Sequence, residues 1–337
     1  LLQPRDFINA FQLLIAMLLM AFGVVFASAK GQLHVVAPAL QATPAEAPPL
    51  WPFLFITIAC GAISGWHSLV SSGTSAKQVR KESDSLFVGY GSMLVEGALA
   101  TLVILAVAAD IGMGYTNKSG ETLFGVSAWT THYASWAAAK GLASKVSAFV
   151  IGAANMIHAL GIPHGIAVTI MGVFVASFAG TTMDSAMRIQ RYVLTELAPG
   201  TFKNRYIATT VVALLAILLI FSSGANGKGA LLLWPLFGAV NQTLAALALI
   251  IVTVYLKAKG GLKWINSAIP ALFMLTVSFW ATILNQINFV KSNPLLTVIN
   301  LVIILAVLWV AIEGFGKFFT TSEATTFEPA EPVTHHV

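Results

Sequence analysis

Ala59-Cys-Gly-Ala-Ile-Ser-Gly-Trp-His-Ser-Leu-Val-Ser-Ser-Gly-Thr-Ser-Ala-Lys77 is the stretch whose reading decides the fold. It continues an apolar run that starts at Phe53, so its first part belongs in a membrane. Yet Ser64, His67, Ser68, Ser71 and Ser75 fall at i, i+3, i+4, i+7 and i+11, which is one face of a helix. A polar stripe facing lipid is costly, so this face turns to protein or to a water-filled cavity. Gly61, Gly65 and Gly73 permit two things. They allow close helix approach, or a local break whose freed backbone groups can hold a solute. A solute path and a plain Ser/Gly packing face are therefore the two readings of this stretch.

Composition restricts the rest. The chain is 57% hydrophobic and 9% charged, against about 25% charged in soluble domains. That excludes an ordinary soluble domain, and 337 residues accommodate about eight membrane spans with their loops. The net charge of +5 does not point to nucleic acid, because Lys and Arg sit in short loops between apolar runs. The lipid bilayer and a small solute are the expected partners. Cys60 is the single cysteine, which leaves no intrachain disulfide and no cysteine metal cluster. The first residue is Leu, and no signal-peptide pattern precedes the first apolar run, so the sequence reads as beginning inside a longer protein.

Eight apolar stretches predict spans at about 7–29, 53–72, 86–109, 164–184, 206–221, 231–256, 265–289 and 295–312. The fourth is expected to continue as a polar helix to about Glu196. Residues 110–144 are mixed, with Trp129, Tyr133 and Trp136 spaced for an interfacial helix within 124–139. Residues 146–160 predict a helix lying against the bundle without spanning. With this count, twelve of the 18 Lys and Arg fall on the N-terminal side. The positive-inside rule makes that side cytoplasmic, with both termini inside and 110–144 outside. Residues 1–319 form the expected membrane core, and 320–337, rich in Thr, Glu and Pro, an expected disordered tail.

No Gly-x-Ser-x-Gly, His-Glu-x-x-His or phosphate-cradling Gly-x-x-x-x-Gly-Lys motif occurs, so an enzyme and a bound cofactor are not expected. Besides the opening stripe, two polar clusters lie in apolar runs. Glu96 sits in Gly89-Tyr-Gly-Ser-Met-Leu-Val-Glu-Gly97, where a carboxylate must be paired, hydrated or protonated. It is a candidate proton carrier, with His67 as its partner in coupling. Ser177, Thr181, Thr182, Asp184, Ser185 and Arg188 form the other cluster. Its hydroxyls suit a hard cation such as Na⁺, and Asp184 can equally pair with Arg188 at i+4. No other metal site is expected. Asn241-Gln242, behind Trp234-Pro235, reads as a polar packing patch on a helix opened by proline.

Four segments carry a family resemblance. Leu1-Leu-Gln-Pro-Arg-Asp6, Cys60-Gly-Ala-Ile-Ser-Gly-Trp-His-Ser-Leu-Val-Ser-Ser-Gly-Thr74, Gly89-Tyr-Gly-Ser-Met-Leu-Val-Glu96 and Leu233-Trp-Pro-Leu-Phe-Gly238 closely resemble the carbon starvation protein A (CstA) family. The resemblance runs from Leu1 to about Trp280. It implies a bacterial inner-membrane secondary transporter of peptides or pyruvate, coupled to protons or sodium. The implied fold is all-α and polytopic, the second half of a LeuT-like five-plus-five inverted repeat. The broken stretch then resembles the first helix of the second repeat, with Ser64, Gly65, His67, Ser68 and Ser71 at the substrate. Thr181, Thr182 and Ser185 resemble part of a sodium site on the eighth core helix. The family's first half, with its own Gly-rich broken helix, has no counterpart in this sequence. A nutrient sensor that binds the same solutes without moving them is the alternative.

Overall fold

The structure is a computed structural model that describes residues 2–41, 44, 46–117, 119–136, 142–198, 200–202, 204–221 and 233–321. Helix α1 covers Leu2–Ala29. A π-helical turn, Leu50–Leu54, leads into α2 (Phe55–Ala62) and α3 (Gly65–Val70), which a second such turn extends over Ser71–Ser75. The short α4 (Asp84–Leu86) runs through Phe87–Gly91 into α5 (Ser92–Ala108). A 3-10 turn at Asp110–Met113 precedes a two-residue hairpin, β1 (Tyr115–Thr116) against β2 (Thr122–Leu123). Then come α6 (Val126–His132), α7 (Leu142–Ala159), α8 (His164–Leu197), α9 (Arg205–Phe221), α10 (Trp234–Ala258), α11 (Ile265–Ser292) and α12 (Pro294–Thr320).

Among the described residues, seven helical stretches are long and apolar enough to cross a membrane: Arg5–Ala29, Leu50–Ser75, Asp84–Ala108, His164–Leu197, Leu236–Ala258, Ile265–Ser292 and Pro294–Thr320. The remaining predicted span, Arg205–Phe221, is a shorter apolar helix of 17 residues, at the lower end of the roughly 17–25 residues that cross a hydrocarbon core. The chain is an all-α, multi-pass membrane protein. The polar extension of the fourth span forms as expected, giving α8 its 34 residues. The helix expected within 124–139 is shorter, seven residues, because Gly125 adopts a positive φ before it and Tyr133 leaves helical geometry after it. Residues 137–139, the tail 322–337 and the expected start of the sixth span at Leu231 lie outside the described residues.

Two compact units are present. The first comprises Leu1–Ala47 and Gln78–Gln190. Its core is α7, packed on α1 and α5, with Ala153, Ala154, Met156 and Ile157 against Ala16, Met20, Ala106 and Met171. Small residues set these approaches. A Cβ on Gly23 would strike the Met156 carbonyl, and one on Gly152 the Ala106 carbonyl. Residues 146–159 thus lie inside a helix that packs on the spans and is not itself among the spanning candidates, as the sequence predicts to within one residue. A polar ladder joins α1 to α8: Arg5 to Asp184 at 3.2 Å, Asn9 Nδ2 donating to Thr181 Oγ1, and Ser177 Oγ donating to Gln12 Oε1 at 2.8 Å.

The second unit comprises Pro48–Lys77 and Arg191–Val337. Helices α10, α11 and α12 form its bundle. Thr253 Oγ1 donates to Ser267 Oγ (2.8 Å), and Asn300 Nδ2 to Thr282 O (3.0 Å) and Gln286 Oε1 (2.7 Å). Such side-chain bonds inside an apolar bundle give orientation that hydrophobic contact alone does not. Helices α2 and α3 lie against α10.

Candidate functional site

The opening stretch is broken. Helix α2 ends at Ala62, and Ile63 (φ −138°, ψ 107°) and Ser64 (φ −120°, ψ 131°) are extended before α3 starts at Gly65. Two consecutive side chains of α10 brace the break. Gln242 Nε2 donates to Ile56 O in α2 (3.3 Å). Asn241 holds the other side: its Oδ1 accepts the Trp66 N–H (2.8 Å), and its Nδ2 donates to Ser64 Oγ (3.1 Å) and Cys60 Sγ (3.2 Å). A break inside a membrane frees backbone groups that need such partners. The polar packing patch read at Asn241-Gln242 is therefore the clamp on the broken span.

Gly65 makes the clamp possible. It is buried, and an added Cβ would lie 2.6 Å from Leu244 Cβ, 2.9 Å from Ala245 N, and closer still to the Asn241 carbonyl. Ser64, being extended, faces Asn241 and drops out of the helical stripe that the spacing describes. His67 and Ser71 are exposed, and Ser68, half-buried, donates to Gly65 O at 2.7 Å. The predicted residues therefore divide. Ser64 and Gly65 meet α10, while His67 and Ser71 lie exposed. Beside the break lies an open, largely apolar groove of about 290 Å³, lined by Trp66, Leu69, Phe237, Val240, Asn241 and Ile303.

Glu96 lies on α5 in the first unit and is exposed, whereas His67 belongs to the second unit. Of the proposed cation ligands, Thr181 Oγ1 accepts from Asn9, Thr182 Oγ1 bonds back to Phe178 O (2.9 Å), and Ser185 is half-buried. Asp184 is shared by Arg188 and Arg5, each at 3.2 Å. The i+4 pairing read from the sequence is thus present, with a second arginine from α1. Among the described residues, no group of three or more His, Cys, Asp or Glu could hold a metal ion.

One residue escaped the sequence reading. Asp110, just beyond the third span, is fully buried, and among the described residues no other group hydrogen-bonds either carboxylate oxygen. Burial pushes its carboxyl up to about 7. Nearby, burial lowers the His132 imidazole and raises the Tyr133 hydroxyl to about 12. In sequence Asp110 looks like a loop boundary. Only the Asp-x-Gly-x-Gly spacing at 110–114 hints at a tight turn that could turn it inward.

Residues 1–281 match the carbon starvation protein CstA family. The chain belongs to that family. It is 32% identical to the peptide transporter CstA of Helicobacter pylori strain J99, over 87% of this chain and 48% of that protein. It is 31% identical to the peptide transporter CstA of Mycobacterium tuberculosis H37Rv, over 84% of this chain and 43% of that protein. It is 28% identical to the pyruvate/proton symporter BtsT of Escherichia coli K12, over 87% of this chain and 49% of that protein. The chain thus spans about half the length of these relatives. No solved structure matches it at a significant level.

Proposed function

We propose that the chain is part of a secondary active transporter that imports small carboxylate-bearing nutrients, peptides or pyruvate, across a bacterial inner membrane. The observation that carries this reading is the break at Ile63–Ser64 inside an otherwise apolar span, clamped by Asn241. Transporter sites are commonly built on such discontinuous helices near the bilayer midplane. In this reading α3 and the turn after it, with exposed His67 and Ser71 and half-buried Ser68, meet the substrate carboxylate, and Ser64 and Gly65 shape the break. Glu96 and His67 are the proposed proton-coupling groups, and Thr181, Thr182 and Ser185 the proposed sodium ligands. The fold that fits is the second repeat of a LeuT-like inverted pair, with both termini cytoplasmic. The names of the relatives support transport, and the charge asymmetry of the loops supports the orientation.

The test is uptake of labelled pyruvate and of a labelled dipeptide by the full-length protein in proteoliposomes, with a proton or a sodium gradient imposed. Accumulation above the outside concentration is expected. Saturable binding with no accumulation would overturn transport in favour of a nutrient sensor. Uptake driven by a proton gradient in the absence of sodium would remove the role given to Thr181, Thr182 and Ser185.

A further inference from the structure

Asp110 stands apart from every group used above. Its residue is completely buried, and among the described residues no other side chain or backbone group hydrogen-bonds either carboxylate oxygen. It cannot swing out easily, because the turn that carries it is clamped. Asn155 of α7, itself buried, donates through Nδ2 to Asp110 O (2.7 Å) and Gly114 O (3.0 Å). Gly125 N donates to Gly112 O at 2.7 Å, which ties the turn to the start of α6. Val36 packs against the turn so closely that a Cβ on Gly112 would lie 2.6 Å from it.

No ion pair reaches Asp110 among the described residues. On α7, Lys145 is exposed and His158 Nδ1 engages Ile162 O at 2.7 Å. On α6, His132 packs its ring on Tyr115 and Tyr133 and approaches Ser144 Oγ at 3.4 Å. On α5 the titratable group is Glu96, several turns away along the helix. In the segment leading to Val36, Lys30 Nζ donates to Ala159 O (2.9 Å) and His34 is exposed. The backbone N–H of Asp110 itself favours the charged form, and burial outweighs that contact. A carboxylate buried with no cation beside it is strongly disfavoured, and the ordinary remedy is to bind a proton.

We propose that Asp110 is a proton-binding site that latches the 110–125 segment to α7. With the proton on, the neutral carboxyl stays inside and the Asn155 clamp closes. With the proton off, the charge draws the turn out toward water and the clamp opens. This goes beyond the transporter reading and does not depend on it. The side that bears Asp110 would register pH near neutrality, since burial places the carboxyl in that range.

Two measurements on the purified protein test it. The sequence has four aspartates, and of the other three Asp84 is exposed while Asp6 and Asp184 pair with arginines. Infrared titration with ¹³C-labelled aspartate should therefore show one carboxylic-acid carbonyl band that disappears around neutral pH. No such band between pH 5 and 9 would overturn the site. Amide hydrogen exchange, corrected for the intrinsic rate, should show protection in 110–125 falling about tenfold from pH 6 to pH 8. In Asp110→Asn that pH dependence should vanish, and equal dependence in the variant would overturn the latch. The infrared titration needs no substitution, so a poorly folding variant cannot rescue the proposal.

Discussion

Replacing Gly65 by alanine tests the account of the broken span most directly. The new methyl would sit 2.6 Å from Leu244 Cβ and 2.9 Å from Ala245 N, where contact begins near 3.5 Å. Two of the three nearest atoms are α10 backbone, so the strain cannot be relieved by a rotamer change. Helix α3 must retreat by about 1 Å, and overpacking of this kind costs about 1–3 kcal/mol. The retreat also stretches the 2.8 Å bond from Trp66 N–H to Asn241, and a buried donor left without its partner costs about 1–3 kcal/mol more. Alanine gains about 1 kcal/mol over glycine within a helix, which offsets part of this. The expected net loss is roughly 3 kcal/mol, about a hundredfold in the opening equilibrium. Gly61→Ala is the matched control, because nothing lies within 4 Å of its added Cβ, and it should be neutral or stabilising. Thermal unfolding in detergent is one assay. The rate of maleimide attack on Cys60, which contacts Asn241 at the break, is the other. If the two variants unfold at the same temperature and label at the same rate, the close approach of α3 to α10 is wrong.

Asn241→Leu should speed labelling of Cys60 and lower the unfolding temperature, since it strips the acceptor from the Trp66 N–H at a cost of about 1–3 kcal/mol; wild-type labelling would refute the clamp. In the first unit, Gly152→Ala should destabilise by about 1–3 kcal/mol by striking the Ala106 carbonyl, while Gly165→Ala, with open space around it, should not. Thr182→Ala should change stability by less than about 0.5 kcal/mol, because its hydroxyl only bonds back to its own helix, yet raise the sodium needed for uptake if the proposed cation site is real. Asp110 sets a pH dependence of stability. Its folded carboxyl is raised from 3.8 to about 7, so the folded state holds more protons between those values. The contribution of Asp110 to stability is then fully present below about pH 4 and is lost as pH rises toward 7, by at most about 1.4 kcal/mol per pH unit. Denaturation midpoints measured across that range should lose this slope in Asp110→Asn.

The sequence was legible wherever one residue's environment is set by its own segment. Apolar runs long enough to span a bilayer gave the helices, since hydrocarbon leaves the backbone few other ways to satisfy its hydrogen bonds. The glycines at 61, 65 and 73 marked the stretch that breaks, and Asp184 and Arg188 were paired correctly by their i+4 spacing. The polar patch at Asn241-Gln242 was also visible, though not what it holds.

What only the tertiary structure decided are the relations between residues far apart in the chain. Asn241 meets Trp66 from 175 positions away, and Asn9 meets Thr181 from 172. Periodicity within a segment carries no information about such partners. It also assumed one continuous helix through Ser64, whereas two extended residues interrupt it and Ser64 bonds to Asn241 of α10. Asp110 is the sharpest case. A carboxylate after a span reads as an exposed loop residue, because burial depends on the neighbours that fold over it. Here α7, the Val36 segment and the Gly112–Gly114 turn close around it, and no local pattern encodes their convergence.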